Sequence, residues 1–523
     1  MSRVRLVALV ICVWSLPACA SSGQGLTRPL PEALPPHSPL HLETLAEPDA
    51  WLRHFLMMGE TDGALEVLEA EAGRADSLLG WLQRAVVLRE AGEFKASNEL
   101  LERADVETER RRVRSVSRTA GSFIINDRVL SYVPSTGEAA MIPYYRMMNY
   151  LALDDSDGAA VEARRIAAIL ASADPDRSRR CNEEAMLEYV SGLVFEAAGE
   201  ANDALVSLRR AEASFRACSG ASEATPPGFG ADLYRIAARL GVSEVADSAV
   251  ARYGNAFAGG EQGEGEVLLL LERGFIAHRT ERAINVPLFE DDIDELDRDD
   301  SDGIAAVAAR MTAALLHDFA GRGYYGYSRD NDRAVQVGKA LSGAYVLRLA
   351  WPSLAGEERR DRTLKVVANH DTATAVAMGD LSAVAERELE EARVALLSRM
   401  VARGVTKYLA SRELEQKAEK QGGELAGFIT GRLANLAANQ TERADTRSWT
   451  LLPDGIAVAR LRLPAGRHEL RVREAGGAAG AGTSDAHTLV VVVDVLPGEV
   501  TVVSRRIWAT APLRAPPPAG TQL

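Results

Sequence analysis

The chain has 523 residues, of which 47% are apolar and 26% charged, and its formal net charge is −14 at pH 7. This length exceeds what one hydrophobic core usually organises, so we expect two to four domains. The negative charge argues against nucleic acid as a partner, because phosphate binding depends on an excess of Lys and Arg.

The first 18 residues have the pattern of a secretory signal peptide. Arg3 and Arg5 precede an apolar run over residues 6–14, which is too short to span a bilayer as a mature helix. The run closes on LPAC at 16–19, which resembles the lipobox of bacterial lipoproteins, where signal peptidase II cleaves before the cysteine. The resemblance implies that Cys19 becomes the acylated N-terminus, a palmitate-type lipid anchor.

Acylation of Cys19 would tie the protein to one membrane. Each buried methylene contributes about 0.8 kcal/mol, so several acyl chains hold a protein stably where one chain is marginal. Ala20 and Ser21 follow the cysteine in place of Asp, so in a Gram-negative cell the resemblance implies sorting to the outer membrane, with the chain on its periplasmic face. The alternative is an ordinary secreted protein cut after Ala18 or Ala20.

The N-terminal half of the body shows a helical repeat. Residues 19–47 are rich in Pro and Ser and predict an extended tether. Over 48–255 we predict tetratricopeptide-like (TPR-like) helix pairs, with residues 112–144 as an insertion that holds a short extended segment. Small residues let paired helices approach, and large ones fill the groove between them. The repeat at 181–217 carries these types at Gly192, Phe195, Gly199, Ala204, Leu208 and Ala211. An α-helical bundle with Ala-rich interfaces is the alternative.

Two cysteines remain for the body. Cys12 lies in the signal peptide and Cys19 is the anchor, which leaves Cys181 and Cys218. In an antiparallel helix pair that turns near Gly199, the start of the first helix and the end of the second lie side by side. We therefore expect a disulfide between Cys181 and Cys218, as suits an oxidising compartment. Two free thiols are the alternative.

The pattern changes after residue 260. Short apolar runs at 266–274, 344–352 and 362–368 suit buried strands, whereas 303–320 is helical. Together they predict a small mixed α/β region over 262–378.

The C-terminal third divides into helix and strand. Residues 379–445 are apolar at three- and four-residue intervals and predict a long helical segment. Residues 446–508 contain four strand-like runs separated by Pro and Gly, which predict a C-terminal antiparallel β-sandwich before a Pro-rich tail at 509–523. The predicted fold class is thus multi-domain α+β.

Four segments carry a resemblance to a known family: MMNYLALDDSDGAAVEARR, EVLLLLERGFIAHRTERAINVPL, LLSRMVARGVTKYLASRELEQK and ADTRSWTLLPDGIAVARLRLPAGRHEL. They resemble an uncharacterised family of bacterial envelope lipoproteins with TPR-like helical repeats and a C-terminal β-domain. The likeness covers most of residues 50–508 and is most specific in the last segment. Members of this family resemble components found beside curli-channel-like lipoproteins and lipoprotein activators of penicillin-binding proteins. The family assigns no reaction, so it supplies no catalytic residue.

Sequence motifs for metal binding and catalysis lack suitable residues at the positions that the chemistry requires. An EF-hand reading of the acidic run at 289–303 would put Arg298 at the first ligand position and Ala309 at the twelfth, where carboxylates are required. His370 and Asp371 are a neighbouring His–Asp pair, and such neighbours usually point apart. We therefore expect no catalytic residue, no metal site and no cofactor.

One loop has the composition of a recognition patch. GRGYYGYSRDNDR at 321–333 presents Tyr324, Tyr325, Tyr327 and Arg329, and tyrosines of this kind give large amphipathic contact surfaces at low entropic cost. A peptide, glycan or protein could bind there. The alternative is a packed loop whose tyrosines cover the α/β layer.

The segment between the long helix and the β-domain suits a buried junction. Asp445 and Arg447 can pair while Trp449 fills the seam. We predict a structural role for these residues in preference to ligand contact.

The sequence as a whole favours a non-enzymatic scaffold anchored at the outer membrane. A repeat array exposes an extended concave surface for partners, here envelope proteins, including other lipoproteins. The alternative is an envelope hydrolase or glycan-processing enzyme with a site in 262–378.

Overall fold

The computed structural model describes most of the chain from residue 45 onward. The described residues are 45–71, 73–118, 131–172, 183–218, 225–254, 263–287, 311–312, 346–356, 363–475 and 489–508. Among these residues the order of elements is ten helices, six strands, two helices and four strands, with residues 311–312 helical between the second and third strands.

Ten helices form five consecutive antiparallel pairs. The pairs are α1 (Glu47–Met58) with α2 (Thr61–Ala70), α3 (Leu78–Glu90) with α4 (Phe94–Arg118), α5 (Thr136–Ala152) with α6 (Ser156–Ser172), α7 (Glu183–Ala197) with α8 (Ala201–Cys218), and α9 (Phe229–Arg239) with α10 (Ser243–Tyr253). The predicted insertion at 112–144 was wrong at both ends, because α4 continues to Arg118 and α5 already begins at Thr136.

All five pairs turn in the same way. A residue with positive φ follows each first helix, and the next backbone N–H bonds back across six residues, as in a Schellman turn. The residues with positive φ are Gly59, Gly92, Asp154, Gly199 and Gly241. The five returning bonds are Glu60 N to Phe55 O, Glu93 N to Leu88 O, Asp155 N to Tyr150 O, Glu200 N to Phe195 O and Val242 N to Ala237 O, all of 2.8 or 2.9 Å. Recurrence of one turn shows that the helix pairs are repeats.

The pairs stack into two layers. The second helices form the outer layer and expose one face to solvent. The first helices form the inner layer: α5 buries every residue from Glu138 to Asn149, and α7 buries every residue over 184–195. A helix that is buried on all sides must have packing partners on both faces, and the second partner here is a β-sheet.

The described residues also contain ten strands. They are β1 (Glu264–Arg273), β2 (His278–Pro287), β3 (Val346–Ala355), β4 (Thr363–Ala368), β5 (Asp371–Thr374), β6 (Val376–Asp380), β7 (Gly455–Pro464), β8 (Gly466–Ala475), β9 (Leu489–Val495) and β10 (Val500–Ile507). One sheet has the order β10-β1-β7-β6, with β1 parallel to β10 and antiparallel to β7. A second has the order β5-β4-β8-β9, and β2 pairs with β3 alone.

The central strand β1 explains why its sequence is apolar without alternation. Leu268 and Leu270 pack into the core shared with the inner helices. Val267, Leu269 and Leu271 pack into a second core, which contains residues of both four-stranded sheets. A strand buried on both faces reads as a continuous apolar run, and here the run lies between the helices and the second sheet.

The predicted boundary between an α/β region at 262–378 and a sandwich at 446–508 needs correction. β1 lies between β7 and β10, and β4 pairs with β8, so strands from both segments interleave in each sheet. The reason is long-range pairing, such as Leu269 opposite Ala459, which local sequence does not reveal.

A helical hairpin projects from the strands. It consists of α11 (Leu381–Gly422) and α12 (Glu424–Gln440), which turn at Gly423 with φ 83°. The β2–β3 pair packs on α11 in a third core that contains Leu349, Met400 and Tyr408. Of the helix predicted at 303–320, only residues 311–312 are described. Within the described residues, no helix is both long and apolar enough to cross a membrane.

Candidate functional site

The seam between the inner helices and the first sheet is closed by a buried ion pair. Arg460 on β7 makes two bonds to Asp232 on α9, of 2.6 and 2.7 Å, and the Tyr189 hydroxyl donates to the same carboxylate at 3.0 Å. Asp232 is fully buried. A bidentate Arg–carboxylate contact fixes both partners geometrically, so α7, α9 and β7 are held in register.

A second arginine closes the other end of the seam. Arg53 on α1 is fully buried and donates to the Thr450 carbonyl at 2.7 and 3.0 Å and to the Ile276 carbonyl at 2.8 Å. Its guanidinium also lies 4.8 Å from the centre of the Phe275 ring, a cation–π distance. The arginine thereby ties the first repeat to two loops of the β-structure.

The inner surface of the repeats is therefore not open, contrary to the expectation of a free concavity. The physical reason lies in the first helices, whose apolar side chains cover both faces. Met186 and Tyr189 of α7, for example, are fully buried. Such residues would be exposed in a free array, and the sheet covers them.

The predicted junction residues lie beside this seam. Trp449 is fully buried, its ring meets that of Tyr145 edge-on at 5.8 Å, and its backbone N–H donates to Glu138 Oε1 at 2.6 Å. The Arg447 guanidinium contacts both oxygens of Asp445 at 2.8 Å. The hydrogen bonds that Arg447 donates to Asp445 raise the pKa of Arg447. The structure thus brings all three residues to the place where the hairpin returns to the β-structure.

A narrow cleft next to the junction contains two carboxylates. It is lined by Glu138, Glu388, Arg279 and Ser448 among others, and its volume open to water is about 20 Å³. That is room for one water molecule. Burial raises the pKa of Glu388, and the Gly137 backbone N–H donates to it at 2.8 Å.

Glu138 in this cleft is fully engaged by the fold. Its Oε2 accepts bonds from the Tyr132 hydroxyl and the Ser135 N–H, both at 2.9 Å, and its Oε1 accepts the bond from Trp449. Ser135 and Glu138 together form a capping box at the start of α5. These carboxylates cap and tie elements together. His370, the candidate base of the enzymatic alternative, is not among the lining residues and lies exposed between β4 and β5.

Several predicted residues lie outside the described part of the chain. These are Cys19, Cys181, Tyr324, Tyr325, Tyr327 and Arg329. Cys218 ends α8, but its side chain is not described. The anchor, the disulfide and the tyrosine loop therefore stay predictions. Within the described residues, no group of three His, Cys, Asp or Glu side chains could hold a metal ion.

The hairpin carries a feature that sequence reasoning missed. One face of α12 is apolar and turned to solvent, with exposed fractions between 49% and 72%. We call this set the α12 stripe; it consists of Leu425, Phe428, Ile429, Leu433 and Leu436. The spacing of three and four residues puts these side chains on one side of the helix.

The opposite face of α12 is built from small residues. Gly427, Gly431 and Asn435 are buried, and a Cβ on Gly427 would lie 3.0 Å from the Glu415 carbonyl oxygen of α11. Helices of soluble proteins usually turn their apolar face to the core. α12 does the reverse, because close approach to α11 admits only small side chains.

The base of the hairpin is held firmly. Glu442 is buried and bridges Arg403 at 2.7 Å and Lys407 at 2.6 Å, both on α11. Asn439 near the end of α12 accepts the Arg348 N–H of β3 at 2.9 Å. The stripe is therefore presented on a fixed support.

Comparison with known proteins finds similarity at the level of structure. No family model matches the chain, and no curated protein matches it in sequence. BtubC (BKLC) from P. vanneervenii is 14% identical, with 39% of this chain and 76% of BtubC covered and a TM-score of 0.27. MamA from Desulfovibrio magneticus RS-1 is 13% identical, with 40% and 92% covered and a TM-score of 0.24.

A third similar structure is a putative kinesin light chain from Podosopora anserina with nearly identical TPR-like repeats. It is 16% identical, with 40% of this chain and 93% of its own covered and a TM-score of 0.28. These scores are too low to carry an argument, and the evidence for repeats in this chain is the recurrence of one turn type in all five helix pairs. The prediction of TPR-like helical repeats is confirmed for the fold of the five helix pairs.

Proposed function

We propose that this protein is a membrane-anchored periplasmic lipoprotein that acts as a non-enzymatic scaffold in cell-envelope assembly, and that it binds its partners through the α12 stripe. The observation that carries the proposal is the exposure of this stripe. Monomeric soluble proteins rarely leave contiguous large apolar side chains in water, and such patches mark interaction sites.

The closed seam supports the choice of surface. Since the sheet covers the inner helices, a partner can reach them only by displacing buried contacts such as Arg460–Asp232. α12 needs no such rearrangement. In this proposal the repeats act as a rigid frame for the β-structure and the hairpin.

The sequence supports the location. The lipobox-like ending at Cys19 and the tether at 19–47 would hold the body near one membrane. Tethering raises the effective concentration of two proteins on the same surface, so a modest interface suffices for assembly.

Site-specific crosslinking in intact cells tests the proposal. A photoreactive residue at Leu433 is expected to form adducts with envelope proteins, because this side chain is in the middle of the stripe. The matched control is Leu496, which is 54% exposed in the turn between β9 and β10. Equal adducts at both positions, or adducts at Leu496 alone, would contradict the assignment of the surface.

A further inference from the structure

We infer that the occupant of the α12 stripe is a second copy of this chain, packed as an antiparallel α12–α12 pair about a twofold axis. The inference rests on the proposed function in that it takes α12 as the interaction surface, and it names the partner.

The positions of the stripe are symmetric along the helix. A twofold interface presents the same patch from both copies, so the contact positions must map onto themselves. Arg432 is half-exposed and lies on the same side of the helix, so this side carries positions 425, 428, 429, 432, 433 and 436. Reversal of the helix exchanges 425 with 436, 428 with 433 and 429 with 432. Leu425 then meets Leu436, and Phe428 meets Leu433.

Charge on α12 favours the antiparallel direction. Glu424 and Arg432 are the charged residues of α12, and the Arg432 guanidinium lies 5.1 Å from the centre of the Phe428 ring. A parallel pair would set Arg432 against its own copy. The antiparallel pair sets its apolar stem against Ile429 instead.

Charge also favours a protein partner over a lipid bilayer. Helices that lie in a membrane interface carry many Lys and Arg on their polar face. The face of α12 opposite the stripe buries Gly427, Gly431 and Asn435 and carries no Lys or Arg, and the chain as a whole has a net charge of −14. A second copy fits this composition better than an anionic surface.

The stripe is large enough for a weak dimer, and the distal end of the hairpin is accessible to a second copy. The five side chains expose roughly 500 Å² per copy, so a pair buries at most about 1,000 Å², which is the size of a weak or transient interface. We expect a dimer with a micromolar dissociation constant, favoured when both copies share one membrane. Beyond Ser411, none of the α11 residues is buried, so the distal hairpin stands clear of the described body.

Sedimentation of the full chain over about 1 to 100 µM tests the inference. Wild type is expected to shift from monomer to dimer. Leu433→Glu puts a charge in the centre of the interface and should weaken the dimer at least tenfold, which corresponds to about 1.4 kcal/mol. Leu496→Glu introduces the same charge at a similarly exposed leucine and should behave like wild type. A wild type that stays monomeric, or a dimer that survives Leu433→Glu, would overturn the inference.

Cysteine pairing tests the direction of the helices. Copies with Phe428→Cys mixed with copies carrying Leu433→Cys should form disulfide-linked heterodimers above the wild-type background. Phe428→Cys mixed with Leu425→Cys should not. The reverse result would overturn the antiparallel arrangement.

The outcomes separate this inference from the proposed function. If wild type is monomeric but the crosslinker at Leu433 captures a different protein, the second copy is refuted and the surface stands. If wild type is monomeric and binds vesicles of phosphatidylethanolamine and phosphatidylglycerol in a way that Leu433→Glu abolishes, the occupant is lipid and both proposals fail. If neither dimer nor adduct forms, both fail as well.

Discussion

Replacement of Trp449 tests whether the junction is part of the core. Trp449→Ala removes a fully buried indole whose ring meets Tyr145, and large-to-small changes of this kind cost about 3 to 5 kcal/mol through lost burial and the remaining cavity. The indole N–H has no hydrogen-bond acceptor among the described residues. Trp449→Phe therefore loses volume without losing a hydrogen bond, and should cost about 1 to 2 kcal/mol.

Urea unfolding of the full chain, followed by circular dichroism, measures both variants against wild type. The midpoint should fall strongly for Trp449→Ala and modestly for Trp449→Phe, with an unchanged slope. Limited proteolysis should show faster cleavage between roughly residues 420 and 450 in the alanine variant. A Trp449→Ala protein with wild-type stability that no longer captures its partner would refute the structural role and move the motif into the binding site.

Three further changes probe other parts of the molecule. Arg460→Met should destabilise the protein by about 3 to 5 kcal/mol, because it removes two bonds from the buried Asp232 carboxylate and the contact with Glu266 and leaves Arg235 as the remaining arginine on Asp232. Urea unfolding should show a smaller cost in an Asp232→Asn background, and equal costs would contradict coupling. Burial raises the pKa of Glu162 to about 7, above its unfolded value of about 4.3, so its contribution to stability is full below about pH 4 and is lost as pH rises to 7. Glu162→Gln should flatten this part of a melting-temperature profile against pH, and an unchanged slope would count against the assignment. Cys19→Ser should abolish partitioning of the mature protein into detergent, and unchanged partitioning would exclude the lipid anchor.

Local features of the sequence predicted the elements well. The strands expected around 266–274 and 362–368 are β1 and β4, and the helix pairs follow from small residues and turn glycines that lie close together in the chain. Gly192 illustrates the reasoning, since a Cβ there would lie 2.8 Å from Leu208 of the paired helix.

Relations between distant segments could not be predicted in the same way. The position of β1 between β7 and β10 depends on pairing across about two hundred residues, for which a single sequence holds no local signal. The sheet that covers the inner helices is formed by the same long-range strand pairing. The continuous apolar run of β1 was the available hint, because such a strand must be buried on both faces.

The α12 stripe was missed for a different reason. Periodicity in ELAGFITGRLANLAANQ predicts a helix with one apolar face, but it does not say which face meets the rest of the protein. The packed face is identified by the glycines at 427 and 431 and the asparagine at 435, because four-residue spacing of small side chains favours close helix contact. The leucines are then left on the outside.

Hydroxyl-radical footprinting tests the central claim most directly. Oxidation of Phe428 and Leu433 would be compared between intact cell envelopes and the purified full chain at high dilution. Both side chains are expected to be protected in the envelope, while the buried inner-helix residue Tyr189 stays unreactive in both samples. Unchanged oxidation of α12, together with new protection on the outer helices at Val106 and Val161, would contradict it.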